Sequence, residues 1–186
     1  RLADLKAEFD ATQTSLDEFK NSSTFNNNWS LFSGNKENSS EINRIRDKAV
    51  ANLEIAGRKK TDLSEEDIHE EARIVYNKEV INKDIAKKRG NNKLRNSLVS
   101  HETVDETVDY LKKDAEAKVA KLSETLTPEQ KRKATDKILS DLADATQAVK
   151  DGAHGFMQED ANGKKVAVVN VDNMAKADRL ETRTHE

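Results

Sequence analysis

The chain has 186 residues, of which 32 are basic and 35 acidic, so its net charge of −3 is the small remainder of two large totals. With 36% charged, 34% hydrophobic and 4% aromatic residues, there is too little apolar material for a thick globular core. Amphipathic helices that each bury one stripe are the expected solution. The balance of charge gives no sign of a nucleic-acid surface, and the absence of Cys excludes disulfides, thiolate metal sites and a cysteine nucleophile.

The length suits one domain, or a small domain with a helical extension. The opening Arg1-Leu2-Ala3-Asp4 is neither Met-led nor a signal peptide, so an internal piece of a longer protein is expected. No apolar run approaches the ~20 residues that a bilayer crossing requires. Leu2, Leu5, Phe9, Leu16 and Phe19 recur at three- and four-residue spacing, with Thr12 in the remaining slot. This predicts an amphipathic helix over 1–20 with a coiled-coil-like seam, which either joins the core or receives a partner.

Residues 21–40 are rich in Ser and Asn, which compete with the helical backbone for hydrogen bonds, and a polar loop is predicted there. The loop carries Phe25, Trp29, Leu31 and Phe32, which are expected to tuck onto a neighbouring helix.

A helical domain is predicted over 41–152. Ser39 or Ser40 is expected to cap a helix bearing Ile42, Ile45, Ala49, Leu53 and Ala56 before Gly57. Ser64-Glu65-Glu66-Asp67 resembles a capping box and opens a long helix that ends at Gly90 behind Lys87, Lys88 and Arg89. Within that helix, His69-Glu70-Glu71-Ala72-Arg73 imitates a zinc signature, but Arg73 stands where the second His is needed and cannot ligate. The basic run from Lys87 to Arg95 reads as a solvated helix end and loop, with an anionic contact as the lesser alternative.

Ser100 or Thr103 is expected to start a helix with Val104, Val108, Leu111, Ala115, Val119 and Leu122, which places His101 at a surface helix start. Thr127-Pro128-Glu129-Gln130 combines a cap, a first-turn Pro and a capping-box Gln. The helix it opens carries Ile138, Leu142, Ala145 and Val149, and pairs with its predecessor as an antiparallel hairpin.

At Gly152 the pattern changes. Phe156-Met157, Asn162-Gly163 and Val166–Val171 read as a β-hairpin, Asn-Gly supplying two positive-φ residues for a tight turn. The second strand is apolar on both faces and must be covered. His154 falls in a solvated loop. Asp172 or Asn173 is expected to cap a final helix, with Met174, Ala177, Leu180 and Thr184 inward, that ends in His185-Glu186.

A strand followed by a short cap and a helix bearing His-Glu is the setting of the signature H-E-x-x-H. There, two His one turn apart bind zinc and the Glu activates water. The run V-V-N-V-D-N-M-A-K-A-D-R-L-E-T-R-T-H-E resembles the segment entering such a helix in the C-terminal regions of large secreted bacterial haemagglutinin-like exoproteins. These include the polymorphic toxins of contact-dependent growth inhibition, and the resemblance covers about the last thirty residues. It implies His185 as a zinc ligand and Glu186 as the catalytic general base, with the second His and any third ligand beyond Glu186. No zinc is therefore expected to bind these 186 residues alone.

The expected fold is mainly α, with long antiparallel amphipathic helices, a small C-terminal β-hairpin and a terminal helix. The expected divisions are a helix at 1–20, a polar loop at 21–40, a helical domain at 41–152 and a hairpin plus helix at 153–186. The functional expectation is a helical spacer, delivery or pre-toxin region of a secreted or surface-located bacterial virulence exoprotein, leading into a zinc-metallopeptidase-like segment. The alternative is a non-catalytic helical interaction module or scaffold. Expected partners are another protein or neighbouring domains of the parent chain, with self-association through helix seams, no nucleic acid and no membrane-spanning segment.

Overall fold

The computed structural model describes residues 2, 3, 6, 28–90 and 97–180. Among these are six α-helices and one small three-stranded sheet, so the fold is mainly α with a minor β element towards the C-terminus. The predicted helix over 1–20 lies outside the described residues, apart from Leu2, Ala3 and Lys6, which are helical.

Charge patterning and caps set the first half. Helix α1 (Asn28–Ser33) and a 3-10 turn at Lys36–Asn38 precede α2 (Ser39–Ile55), and a second 3-10 turn at Lys60–Asp62 precedes α3 (Glu65–Arg89). The Ser64 capping box is formed: its hydroxyl accepts from the Asp67 amide and the Asp67 carboxylate accepts from the Ser64 amide. Acidic residues at the start of α3 and Lys87, Lys88 and Arg89 at its end both suit the helix dipole. At α2 the expectation is corrected, because Asn38 is the N-cap and makes no side-chain capping bond, while Ser39 is already helical.

The loop expected over 21–40 is also corrected, since Asn28–Ser33 is helical. Trp29 is buried among Ile45, Ala49, Ala72 and Val75, with Phe32 and Tyr76 packed against the cluster. Burying an indole stabilises by more than the local preference of Ser and Asn for irregular backbone opposes. The expected tucking holds for Trp29 and Phe32; Leu31 stays exposed, and Phe25 lies outside the described residues.

The second half is layered. Strand β1 (Leu98–His101) leads to α4 (Val104–Ala120) and α5 (Pro128–Lys150), then to β2 (Gly155–Glu159), β3 (Lys165–Asn170) and α6 (Val171–Lys176). Thr103 caps α4, and Thr127 forms the expected capping box with Gln130 at α5. The sheet order is β1-β3-β2, with β3 antiparallel to β2 and parallel to β1. Ser100 therefore lies in a strand rather than at a helix start.

β3 is central and covered on both faces, as its unbroken apolar run requires. Its side chains alternate: Val166 and Val168 join Leu111, Ala145, Val149 and Phe156 under the α4–α5 pair. Ala167 and Val169 join Ile81, Ile85, Leu98, Met157 and Met174 under α3 and α6. The hairpin forms where predicted, but its turn is looser than a two-residue turn. The Asp160 amide donates to the Lys164 carbonyl (2.8 Å) and the Gly163 amide donates to the Asp160 carbonyl (3.0 Å). Only Gly163 has positive φ there, at 79°, which marks a bulged three-residue loop. The Asp160 carboxylate accepts from the Asn162 and Lys164 amides and so favours the longer form.

The last helix is corrected most. Asn170, not Asp172 or Asn173, is its N-cap, and the helix stops at Lys176. Asp178 then turns the chain with φ 62°. One helix running from the strand to the chain end is thus overturned by a chain reversal well before His185, which itself lies outside the described residues together with Glu186.

Candidate functional site

The segment from β3 into α6 is where the sequence places its chemistry, and it is built on buried asparagines. The Asn170 amide nitrogen donates to the Thr103 carbonyl and the Thr107 hydroxyl, both at 2.8 Å, while its carbonyl oxygen accepts from the Asn173 amide at 2.9 Å. Asn173 in turn donates to the carbonyls of Val149 (2.8 Å) and Ala153 (2.9 Å). Two side chains thereby bond the end of β3 to the start of α4 and the end of α5. Unpaired, each of these buried groups would cost about 1–3 kcal/mol.

The other flank of α6 is bound to α3. Fully buried Asn77 donates to the Ala175 carbonyl (3.0 Å) and to the Asp178 carboxylate (2.7 Å). Arg73 donates to the Lys176 carbonyl at 3.3 Å and pairs with Glu70 (2.6 Å) and Asp178 (3.3 Å). These contacts cap the C-terminal carbonyls of a six-residue helix that has little stability of its own. The Arg73 hydrogen bond holds the Glu70 carboxyl below its ordinary range, and Glu70 raises Arg73. Lys78 pairs with Asp172 at the other end of α6. The residue that spoils the zinc-like run at 69–73 is therefore the one that anchors α6.

The three described histidines, His69, His101 and His154, lie on different elements. The His69 Nδ1 accepts from the Trp29 indole N–H (3.1 Å), which assigns the ring proton to Nε2. His154 follows α5, where its carbonyl accepts from the Asn170 amide (2.8 Å). His101 was expected at a surface helix start; it is the last residue of β1 and half-buried, with its ring 5.1 Å from that of Tyr110. Burial lowers the His101 pKa, Glu106 and Asp109 oppose the shift, and Arg89 adds to it. Burial pushes Tyr110 up to about 12, helped by Asp114 and Asp160. Among the described residues, no group of three His, Asp or Glu side chains could hold a metal ion. Predicted His185 and Glu186 lie outside the described residues, and a lone His from this chain supplies one of the ligands that tetrahedral zinc needs.

Comparison with protein-family models, curated proteins and solved structures finds no match for the chain.

A further cavity lies elsewhere. A groove of about 410 Å³ runs between α4, α5 and the β2–β3 turn. Its apolar floor includes Leu111, Ala115, Leu122, Ile138, Leu142 and Ala145. Asp114 fixes one wall, accepting from Gln158 (2.7 Å) and the Ala161 amide (2.9 Å) while paired with Lys118 (2.9 Å). These bonds satisfy the carboxylate within the fold.

The asparagine network and the Asp114 wall were not anticipated. Their one signal in the sequence is polar residues at positions whose neighbours in the period are apolar, such as Asn77 between Val75 and Ile81 and Asn170 after Val168. Among the described residues no helix is long and apolar enough to cross a membrane.

Proposed function

We propose that this chain is the helical spacer or pre-toxin region of a secreted bacterial exoprotein, whose sheet delivers the chain into a zinc-peptidase-like segment beginning at His185 and Glu186. The observation that supports it is the sequence of fixed points on the way there. A strand buried on both faces passes into a helix bonded on two sides, and the chain then turns at Asp178 and buries Leu180. A metal-bearing helix needs such a rigid approach, because ligand geometry tolerates displacements of only ~0.5 Å. In this reading His185 is a zinc ligand and Glu186 the general base, with the remaining ligands supplied by residues outside this sequence. Bound zinc would lower the pKa of its water to about 7.

The test is the natural reading frame expressed through the residues that follow Glu186. The expected outcome is one zinc per chain and peptide hydrolysis, with metal lost in His185→Ala and hydrolysis alone lost in Glu186→Gln. A frame without a histidine three residues past Glu186, or zinc unchanged in His185→Ala, overturns it.

The second reading is a helical interaction scaffold, favoured by apolar side chains left in solvent: Ile55 is 84% exposed, Leu31 65% and Leu139 50%. Sedimentation of the chain across a concentration series checks it. Association that disappears in Ile55→Ser supports a docking role for the end of α2, and a concentration-independent monomer counts against self-association.

A further inference from the structure

Five runs of adjacent basic residues occur along the chain, at 58–60, 87–89, 112–113, 131–133 and 164–165. Three of them lie within α3, α4 and α5, where helical hydrogen bonds engage the backbone. Lys164 and Lys165 lead into β3, and the Lys164 backbone is bonded on both sides. Its carbonyl accepts from the Asp160 amide (2.8 Å) and its amide donates to the Asp160 carboxylate (2.9 Å). Arg58-Lys59-Lys60 differs from all four, because it stands exposed in the connection between α2 and α3.

Both helices end independently of that connection. Helix α2 closes at Gly57, whose φ of 93° turns the chain while the Arg58 amide donates to the Leu53 carbonyl (3.0 Å). Helix α3 opens on its own capping box at Ser64. Between them residues 58–62 are all exposed, and Lys59 is extended, with φ −80° and ψ 134°. Two backbone bonds hold the 3-10 turn beyond it, from the Asp62 amide to the Lys59 carbonyl (2.9 Å) and from the Leu63 amide to the Lys60 carbonyl (3.4 Å). Arg58 is paired with Asp67 at 2.8 Å, whereas the Lys59 and Lys60 ammonium groups have no ion pair among the described residues.

We propose that Arg58-Lys59-Lys60 is a proteolytic processing site, cut at the Lys59–Lys60 bond by a serine endoprotease with a carboxylate in its specificity pocket, and that the two products stay docked. An extended segment can pair its backbone with a protein cleft as an added strand, and a carboxylate at the base of the pocket selects a basic side chain. Lys59 meets both requirements, being extended and unpaired. Opening the turn behind it breaks two backbone bonds, whereas opening any of the three helical runs means melting helix. Water adds across the amide, leaving a carboxylate on Lys59 and an α-ammonium on Lys60, with no further reactant. The stripe of Ile45, Ala49, Ala72 and Val75 and the pairs Arg44–Glu79 and Arg46–Glu65 span the cut and hold α2 on α3. Cleavage thus turns a covalent tether into a separable one. In the exoprotein reading above, on which this last consequence alone rests, it parts the upstream chain from the segment leading to His185.

Limited digestion of the full chain with trypsin, read by mass and by size-exclusion chromatography, tests this. The Lys59–Lys60 bond should be cut at least about ten-fold faster than any bond in the other four basic runs, because cleavage follows the population of the open segment. The pieces carrying α2 and α3 should co-elute in native buffer and separate in urea. Lys59→Gln should slow cutting within 58–61 by about five-fold or more, since Arg58 is held by Asp67 and Lys60 begins the turn, with the circular dichroism unchanged. Earlier cutting in any of the other four runs, cutting within 58–61 indifferent to Lys59→Gln, or separation of the pieces without urea each overturns the proposal. None of these readouts involves zinc, so the processing site can fail while the metal reading stands, and the reverse.

Discussion

Residues 28–90 and 97–180 are both largely helix, yet they are held together by different forces. In the first, α2 and α3 meet along a narrow stripe of Ile45, Ala49, Ala72 and Val75 sealed by Trp29, and the rim is stitched by exposed ion pairs such as Arg44 with Glu79 and Arg46 with Glu65. In the second, a strand of buried valines lies between two helical layers, one of them completed by α3 of the first, and polar contacts run inward through Asn170 and Asn173, with Asn77 reaching across from α3. Exposed ion pairs are weak and screened by salt, whereas buried side-chain amides bonded to backbone carbonyls are costly to disrupt. The difference teaches that helix content alone does not say where a chain of this composition is firm.

The contrast breaks most visibly at Phe156, 1% exposed under α4 and α5. Phe156→Ala should cost about 3–5 kcal/mol and lower the urea midpoint of the whole sheet unit. Trp29→Ala removes a similar volume, but its loss should be confined to α1 and the α2–α3 stripe. In hydrogen exchange the amides of 28–33 should open while those of 165–170 stay protected; joint opening would erase the distinction between the two regions. Asn170→Ala leaves the Thr103 carbonyl, the Thr107 hydroxyl and the Asn173 amide without their partner. A loss of about 2–4 kcal/mol in chemical unfolding is expected from unpaired buried groups and a missing cap.

A smaller effect concerns acid. Burial depresses the pKa of His101 in the folded chain, so below the ordinary histidine value the unfolded chain binds the proton more readily. Stability from this group is therefore complete above about pH 6.5 and declines as pH falls from there towards the depressed value. His101→Phe should flatten that part of the thermal-stability profile between pH 7 and 5, leaving the carboxylate-driven loss at lower pH. Smallest of all, Arg46→Ala should leave the denaturation midpoint within experimental scatter, because its partner Glu65 is largely in solvent. A clear drop there would show that the rim of the first region matters more than its exposure implies.

Much of this arrangement could be read from residues alone. Caps at Ser64 and Thr127, the stop at Gly90 and the Asn162-Gly163 hairpin are local signals, set by hydrogen bonds within a few positions of each other, and the structure places each where the sequence does. What escaped was settled at a distance. Leu98–His101 is a four-residue strand only because β3 lies beside it, and Asn28–Ser33 is helical because α3 offers Trp29 a pocket. The final helix was drawn too long because Met174, Ala177 and Leu180 keep helical spacing; Asp178 breaks that run to meet Asn77 and Arg73, an interaction between positions a hundred residues apart in no local pattern.

The parallel pairing of β1 with β3 has a consequence for how the protein is made. Leu98 waits for Ala167, 167 − 98 = 69 positions further along, before its strand has a neighbour. During synthesis the α2–α3 pair can therefore assemble early from nearby contacts, whereas the Ile81–Ile85 face of α3 and the α4–α5 layer stay without the slab between them until β3 emerges. A ribosome stalled before Lys165 would hold a nascent chain with two oily surfaces facing an empty slot, the state in which this protein is most exposed to aggregation and most in need of a chaperone.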